Sequence, residues 1–412
     1  MPEVRSTRPV SNATALIRPG ARKIPSVAKA GPEASSPNRA TEFECIALLL
    51  QGGGALGAYQ GGVYEALAQA DIVPDWVGGI SIGAITGAII AGNPPAHRIP
   101  KLRGFWQHVT RNSLLNERSV FAHLLKSGGE AMRTFWGQMS AGATLLGGVP
   151  GFFTRRPALP WCFPPGSPAA TSYYDTTEFR KTLEHFIDFE MLNAAGIRFT
   201  TSAVNVRTGN FTIFDTNRHK IGPEHVMASG ALPPALPAVE IEGQYYWDGG
   251  LVSNTPLQWV MDETSKNTLV FQVDLWSSRG AFPKDILGVM TRQKEIQYSS
   301  RTRAVTDRVK RDQHLGHAFA TLYEKLPVNL KRTPESQLLW AASSCNVFNI
   351  VHLIYRAHDY EGFSKDFEFS RLSMDEHWKA GYNDTVRSLR HKEILKRPTC
   401  AEGIMVYDVS ED

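Results

Sequence analysis

The chain has 412 residues, with 44 Lys and Arg against 40 Asp and Glu, a formal net charge of +4 and 42% hydrophobic residues. That length accommodates one large domain with appendages, and so mild a charge gives no argument for a nucleic-acid partner. No uninterrupted apolar run of about 20 residues occurs, so no membrane-spanning helix is indicated. The cysteines, Cys45, Cys162, Cys345 and Cys400, are widely separated without CxxC pairing, which suits reduced thiols in a cytoplasmic protein better than a disulfide framework.

Residues 1–42 are rich in Pro, Ser, Ala and Arg and read as a disordered leader. A transit peptide is the competing reading, since Arg5, Arg8, Arg18, Arg22 and Lys23 outweigh Glu3. Pro2, Pro9, Pro19 and Pro25 interrupt the amphipathic helix it would need. The apolar run Ile46-Ala47-Leu48-Leu49-Leu50 then predicts a buried parallel strand. It leads into Gln51-Gly52-Gly53-Gly54-Ala55-Leu56-Gly57 and a helix through Ala70. This string fits G-x-G-x-x-G, and Asp71 and Asp75 fall near the acidic position that a dinucleotide site expects. Consecutive glycines at a strand end equally expose unobstructed backbone N–H donors, as an oxyanion hole requires.

Gly79-Ile80-Ser81-Ile82-Gly83 follows a short apolar stretch and opens a small-residue helical segment, Ala84 to Ala91. Strand, strained serine and helix are the context of a nucleophile elbow, with Gly79 and Gly83 allowing strand and helix to pack closely. Alone, this pattern is weak; beside a glycine loop it favours acyl transfer over nucleotide binding.

From about 112 to 171 the chain leaves α/β rhythm as a helical, apolar insertion, with Phe121-Ala122-His123-Leu124-Leu125, Thr134-Phe135-Trp136-Gly137, Ala143 to Phe153, Arg155-Arg156 and Trp161-Cys162-Phe163. No acidic residue stands between Ala131 and Thr171. Aromatics beside arginines suit an apolar surface meeting lipid headgroups, so peripheral membrane contact through 131–163 is one reading. A helical subdomain closing over the core is the other, and the two are compatible. Asp175-Thr176-Thr177-Glu178 then predicts the cap of a helix through Phe186. Phe199 to Val206 and Asn210 to Phe214 predict a hairpin. Gln244-Tyr245-Tyr246-Trp247-Asp248-Gly249-Gly250 places an acidic residue at a strand end on a tight turn. Thr268 to Asp274 reads as another buried strand. Residues 291–412 read as a mainly helical extension, with Ile350 to Tyr355 as one strand and a last helix from Ser373.

Taken together, Gly52 to Gly57, Gly79 to Gly83 and Asp248-Gly249-Gly250 resemble the patatin-like phospholipases in order and spacing. Asn254-Thr255-Pro256-Leu257 is similar to the family's sequel to Asp-Gly-Gly, and Ala228 to Pro233, leading to Val239-Glu240-Ile241, is similar to its approach. Glu295 to Arg303 resembles the C-terminal extension of a bacterial subgroup. One position departs: Leu56 stands where the family usually carries Arg or Lys. The resemblance implies a three-layer α/β/α fold with a mostly parallel sheet, spanning 43–290. It also implies a Ser–Asp dyad in which Ser81 attacks an ester carbonyl, Asp248 acts as base and Gly52, Gly53 and Gly54 stabilise the oxyanion, with Gly57, Gly79, Gly83, Gly249 and Gly250 in support. A carboxylate near its ordinary pKa of ~4 is a poor base for a hydroxyl, so burial must raise it.

The expected function is hydrolysis of lipid acyl esters, without cofactor or metal. His97, His108 and His123 lack ligand spacing. A conventional triad would draw on His314, His317, His352, His358, His377 or His391, none in a recognisable histidine loop. A soluble esterase, a thioesterase or a polyester depolymerase would use the same dyad; a silent lipid-binding scaffold and a nucleotide-binding protein are the alternatives outside enzymes.

Overall fold

The structure, a computed structural model, describes residues 41–111, 129–194, 196–300, 302–343, 346–358, 360–399 and 403–408. Strands β1 (Cys45–Leu50), β2 (Trp76–Gly79), β5 (Arg198–Asn205), β6 (Phe211–Asp215), β7 (Val239–Ile241), β8 (Gln244–Asp248), β9 (Thr268–Asp274), β10 (Phe348–Ile354) and β11 (Ile404–Asp408) form one sheet, with the short β3 (Thr154–Arg155) and β4 (Tyr174–Asp175) paired apart from it. Across the sheet the order is β11-β10-β9-β1-β2-β5-β8-β7, with β6 also on β5. Pairings from β11 to β5 are parallel; those of β5 with β6 and β8, and of β7 with β8, are antiparallel. The fold is therefore α/β with a mostly parallel central sheet, as expected.

β1 lies at the centre between β2 and β9, and all its residues are buried. That is why its sequence is a continuous apolar run rather than an alternation. Even-numbered Leu48 and Leu50 join the large core cluster with helix α1 (Ala58–Gln69) and helix α2 (Ile82–Ala91), while Ala47 and Leu49 meet Leu257, Val260 and Phe348 on the opposite face.

Within the string expected to cap the helix Thr177–Phe186, the Asp175 carboxylate accepts the Thr177 N–H at 2.9 Å. One local expectation is corrected. The last helix spans Arg371–Ser388 and begins before Ser373, because Ser370 Oγ caps it by accepting the Ser373 N–H at 3.2 Å. Residues 291–412 supply β10 and β11 to the common sheet, and Arg371–Ser388 packs on α1, where Trp378 fills the space left by Gly61 and Gly62. Within the insertion, Gly129–Gly147 is a helix; Phe121 to Leu125 lies outside the described residues.

Register brings the motifs to one level. β1 and β2 are parallel with Leu50 opposite Gly79, so Gly52 and Ser81 each stand two residues past a paired position. β5 pairs with β2 through Arg198–Thr201, with β6 through Thr200–Val204 and with β8 through Ala203–Asn205. Because β6 overlaps both others, it holds one edge of β5 while β2 and β8 share the opposite edge, end to end. Asp248 pairs with Ala203, two residues beyond Thr201, the partner of Gly79. Glycine loop, serine and aspartate thus meet at the carboxyl ends of the central strands, where open α/β sheets bind ligands.

Candidate active site

Ser81 sits between β2 and α2 with φ 56° and ψ −123°, a conformation that costs a non-glycine residue of order 1–3 kcal/mol. The turn is held from several sides. The Ser81 N–H donates to the buried Ser229 Oγ at 3.0 Å, and Ile80 N–H donates to Leu50 O at 3.1 Å. A Cβ on Gly79 would stand 2.1 Å from Gly83 O, and one on Gly83 would stand 2.2 Å from Leu50 O. Any side chain at either position would force strand and helix apart, which is the physical content of the GxSxG spacing.

The glycine loop lies directly beside the serine: a Cβ on Gly52 would come 3.0 Å from Ser81 Cβ. Gly52 is held on both sides of its peptide units. Its N–H donates to Asn254 Oδ1 at 3.2 Å, and its carbonyl accepts from Asn254 Nδ2 and from Trp276 Nε1, each at 3.0 Å. Gln51 Oε1 accepts the backbone N–H groups of Leu275 and Trp276 at 2.6 and 3.0 Å. The Gly52 amide is therefore already engaged, whereas no protein acceptor among the described residues takes the N–H of Gly53 or Gly54. Gly54 has φ +55°, the left-handed region, and Ala55 N–H donates to Asp366 O at 2.8 Å. Leu56 is fully buried in the core cluster, and Gly57 lies against Ile82 of α2.

Asp248 ends β8 and is 3% exposed. Burial pushes its carboxyl up to about 7, against the opposing pull of hydrogen bonds from the Gly250 N–H (2.7 Å to Oδ1) and the Ser81 hydroxyl. Gly249 packs against Ser202 of β5, and Gly250 faces Asn254. Ser81, Asp248 and Gly52 to Gly54 line one cavity of about 250 Å³, walled mainly by apolar groups including Phe152, Phe153, Leu236 and Phe369. No histidine among the described residues lines it. His352 lies on β10 near Asp274 and Asp408, and His377 pairs with Glu361 behind the glycine loop.

Sequence reasoning did not find Gln51, Ser229, Trp276, Tyr298 or Asp366 as parts of this site, nor the role of Asn254. Gln51, Ser229, Asn254 and Tyr298 stood inside strings already singled out, but a group that holds a backbone amide or a side-chain amide has no spacing signature. Asp366 comes from a region whose periodicity reports only helix and loop.

The sequence model of the family described as Patatin-like phospholipase matches residues 48–260, just over half of the chain, and a second, described as Patatin phospholipase, matches residues 296–401. The patatin-like phospholipase domain-containing protein M110.7 of Caenorhabditis elegans is 35% identical over 71 residues, which is 17% of this chain and 6% of that protein. Among solved structures, VipD from Legionella pneumophila matches over 90% of this chain and 73% of its own, at 14% identity and a TM-score of 0.40. With the family model spanning both the elbow and the Asp-Gly-Gly turn, this chain belongs to the patatin-like phospholipase family.

Proposed function

We propose that the protein is a serine lipid acyl hydrolase working through a Ser81–Asp248 dyad. Ser81 Oγ attacks the ester carbonyl while its proton passes to the Asp248 carboxylate. The oxyanion is received by the Gly53 and Gly54 N–H groups; Gly52, expected as a third donor, keeps its bond to Asn254 and holds the loop. Collapse of the tetrahedral intermediate expels the alcohol, which takes the proton from Asp248, and water repeats the sequence on acyl-Ser81. The observation that carries this reading is a buried carboxyl that lines one cavity with the elbow serine and the glycine loop, and burial pushes its pKa up to about 7. Such a group is a competent base near neutrality without a histidine.

The lipid substrate is supported by the family and by the surroundings of the cavity. Thr144 and Leu145 of the helix Gly129–Gly147 line it, and the same helix exposes Met132, Phe135, Met139 and Leu146. Trp161, 71% exposed, adds to this apolar rim. Contact of residues 131–163 with a lipid surface would bring acyl chains to the cavity mouth. No helix among the described residues is long and apolar enough to cross a membrane, and a peripheral cytoplasmic setting fits this reading. Soluble esters, thioesters and polyesters would use the same chemistry. Labelling with a fluorophosphonate and profiling against phospholipid vesicles, short p-nitrophenyl esters and acyl-CoA separate these. An adduct on Ser81 that disappears in Ser81→Ala is expected, with phospholipid preferred; a folded protein that takes no label ends the enzymatic reading.

A further inference from the structure

An oxyanion hole built from consecutive glycines has an intrinsic weakness. Glycine backbone is the freest of all, yet donors must be held to within about 0.5 Å to serve a transition state. Something outside the loop has to remove that freedom. At Gly52 the clamp is Asn254 with Trp276, described above. Asn254 is itself held, because its Nδ2 also donates to Tyr298 O at 2.9 Å, and Gln51 Nε2 donates to the same carbonyl at 3.1 Å.

At the other end of the loop the hold passes to a single backbone carbonyl, that of Asp366. It accepts the Ala55 N–H at 2.8 Å, and the loop folds so closely around it that a Cβ on Gly54 would stand 2.1 Å away. The Asp366 side chain is tied down in turn. Lys294 Nζ reaches its Oδ1 at 2.5 Å and Phe363 O at 3.3 Å, with the ammonium 4.3 Å from the Phe363 ring centroid and 5.2 Å from that of Phe367. Next to it, the buried Lys365 donates to Glu295 Oε1 at 2.7 Å. The helix Ile286–Tyr298 and the turn around Asp366 are thus joined by paired ionic contacts, and both ends of the glycine loop rest on them.

We propose that Lys294 is a positioning residue for the oxyanion hole: its ion pair with Asp366 fixes the carbonyl that holds Ala55, and through Ala55 the adjacent Gly53 and Gly54 amides. The region after residue 260 is then a working part of the acyl-transfer site rather than an attached module. This rests on the reading of Ser81 as an acylated nucleophile. Displacing a catalytic group by about 1 Å costs on the order of 100-fold in rate, so loosening the loop is visible in kcat.

The test uses the full chain as wild type, Lys294→Met and Lys294→Arg, assayed on p-nitrophenyl butyrate and with a trifluoromethyl ketone inhibitor. The ketone takes Ser81 Oγ at its carbonyl carbon and the serine proton passes to Asp248, leaving an oxyanion that needs the same donors. Lys294→Met is expected to lower kcat about 10- to 100-fold and to raise the inhibition constant by the same factor, with KM changed less than about twofold. Lys294→Arg, which keeps the ion pair, restores most of both. A folded Lys294→Met with kcat and inhibition within about twofold of wild type, or with KM alone raised, overturns the positioning role. If Lys294→Met does not fold by circular dichroism, Asp366→Ala replaces it with the same two outcomes, since it removes the ion pair and keeps the carbonyl. A wild type that neither turns over esters nor takes fluorophosphonate at Ser81 overturns the acyl-transfer reading instead.

Discussion

Two buried carboxyls in this molecule sit in opposite electrostatic states. Asp248 and Glu361 are both removed from water, and burial acts to raise both. Asp248 receives only neutral donors, the Gly250 amide and the Ser81 hydroxyl, and burial wins, taking it up to about 7. Glu361 faces His377, whose Nε2 lies 3.3 Å from Oε2, and Tyr355, which donates to Oε1. There the ring's hydrogen bond and charge outweigh burial and hold Glu361 below the usual range, while Glu361 and Glu368 raise His377 against its own burial. The carbonyl of Ala55 also favours the charged ring, although Nδ1 makes no fully formed hydrogen bond. Depth alone therefore decides nothing; the charge of the nearest donor does. An uncharged donor leaves a carboxyl free to exchange a proton, and a cation locks it as an ion.

The sharpest way to break the comparison is to remove the exchangeable proton. Asp248→Asn is expected to retain the fold and lower kcat by about 1,000-fold or more, since the serine loses its base. In the wild type, kcat for a soluble ester should rise with pH through about 7, as Asp248 becomes ionised. Activity that persists in Asp248→Asn and vanishes on changing one of the late histidines would restore the triad. Next in size is the locked pair. His377→Leu strands a buried Glu361 carboxylate and should cost about 3–5 kcal/mol in urea unfolding. His377→Leu with Glu361→Gln should recover much of that; if it recovers none, the cost lies in packing against Tyr355 rather than in the charge.

The same contrast explains what the sequence could reveal. The Ser81 half of the site is local: strand, three glycines, strand, elbow and helix lie within residues 45–91, and close backbone approach at Gly79 and Gly83 leaves a spacing that can be read directly. Asp248 was legible only through its Gly-Gly sequel and the resemblance, because the β5 edge that brings it beneath Ser81 depends on pairings far apart in sequence. The supporting shell was not legible. Lys294, Tyr298 and Asp366 act through backbone carbonyls and an ion pair, which any sequence of similar helix and turn content could carry. The start of the last helix, expected at Ser373, has a related cause: several Ser and Asp residues stood within reach, and geometry selected Ser370.

Stability and activity should also part at Asp248. Folding raises this acid's pKa from 3.8 to about 7. Between those values the native state keeps a proton that the unfolded chain has released, so this residue's contribution falls as pH rises through the window and levels off above about 7. Asp248→Asn has no such penalty. It should be more stable than wild type at pH 8 by up to a few kcal/mol, with the difference shrinking towards pH 4. Urea unfolding at both pH values measures it. Equal stability at pH 8 would mean that the carboxyl is better solvated than its burial implies.

The smallest expected effect concerns an apolar face left exposed among the described residues. Phe135 and Met139 are 59% and 49% exposed on the helix Gly129–Gly147, four residues apart along one stripe. Replacing both by Ser removes the packing of two half-exposed side chains, so unfolding should change by about 2 kcal/mol or less. If this face rests on lipid, the same change should weaken binding to phospholipid vesicles about 10-fold, corresponding to partial burial of two apolar side chains. Turnover of a short soluble ester should stay the same, because neither residue lines the cavity. Co-sedimentation and soluble-ester kinetics on one preparation separate the two functions. Unaltered vesicle binding would assign the stripe to a role other than membrane contact, and a parallel fall in soluble turnover would make it part of the cavity's architecture.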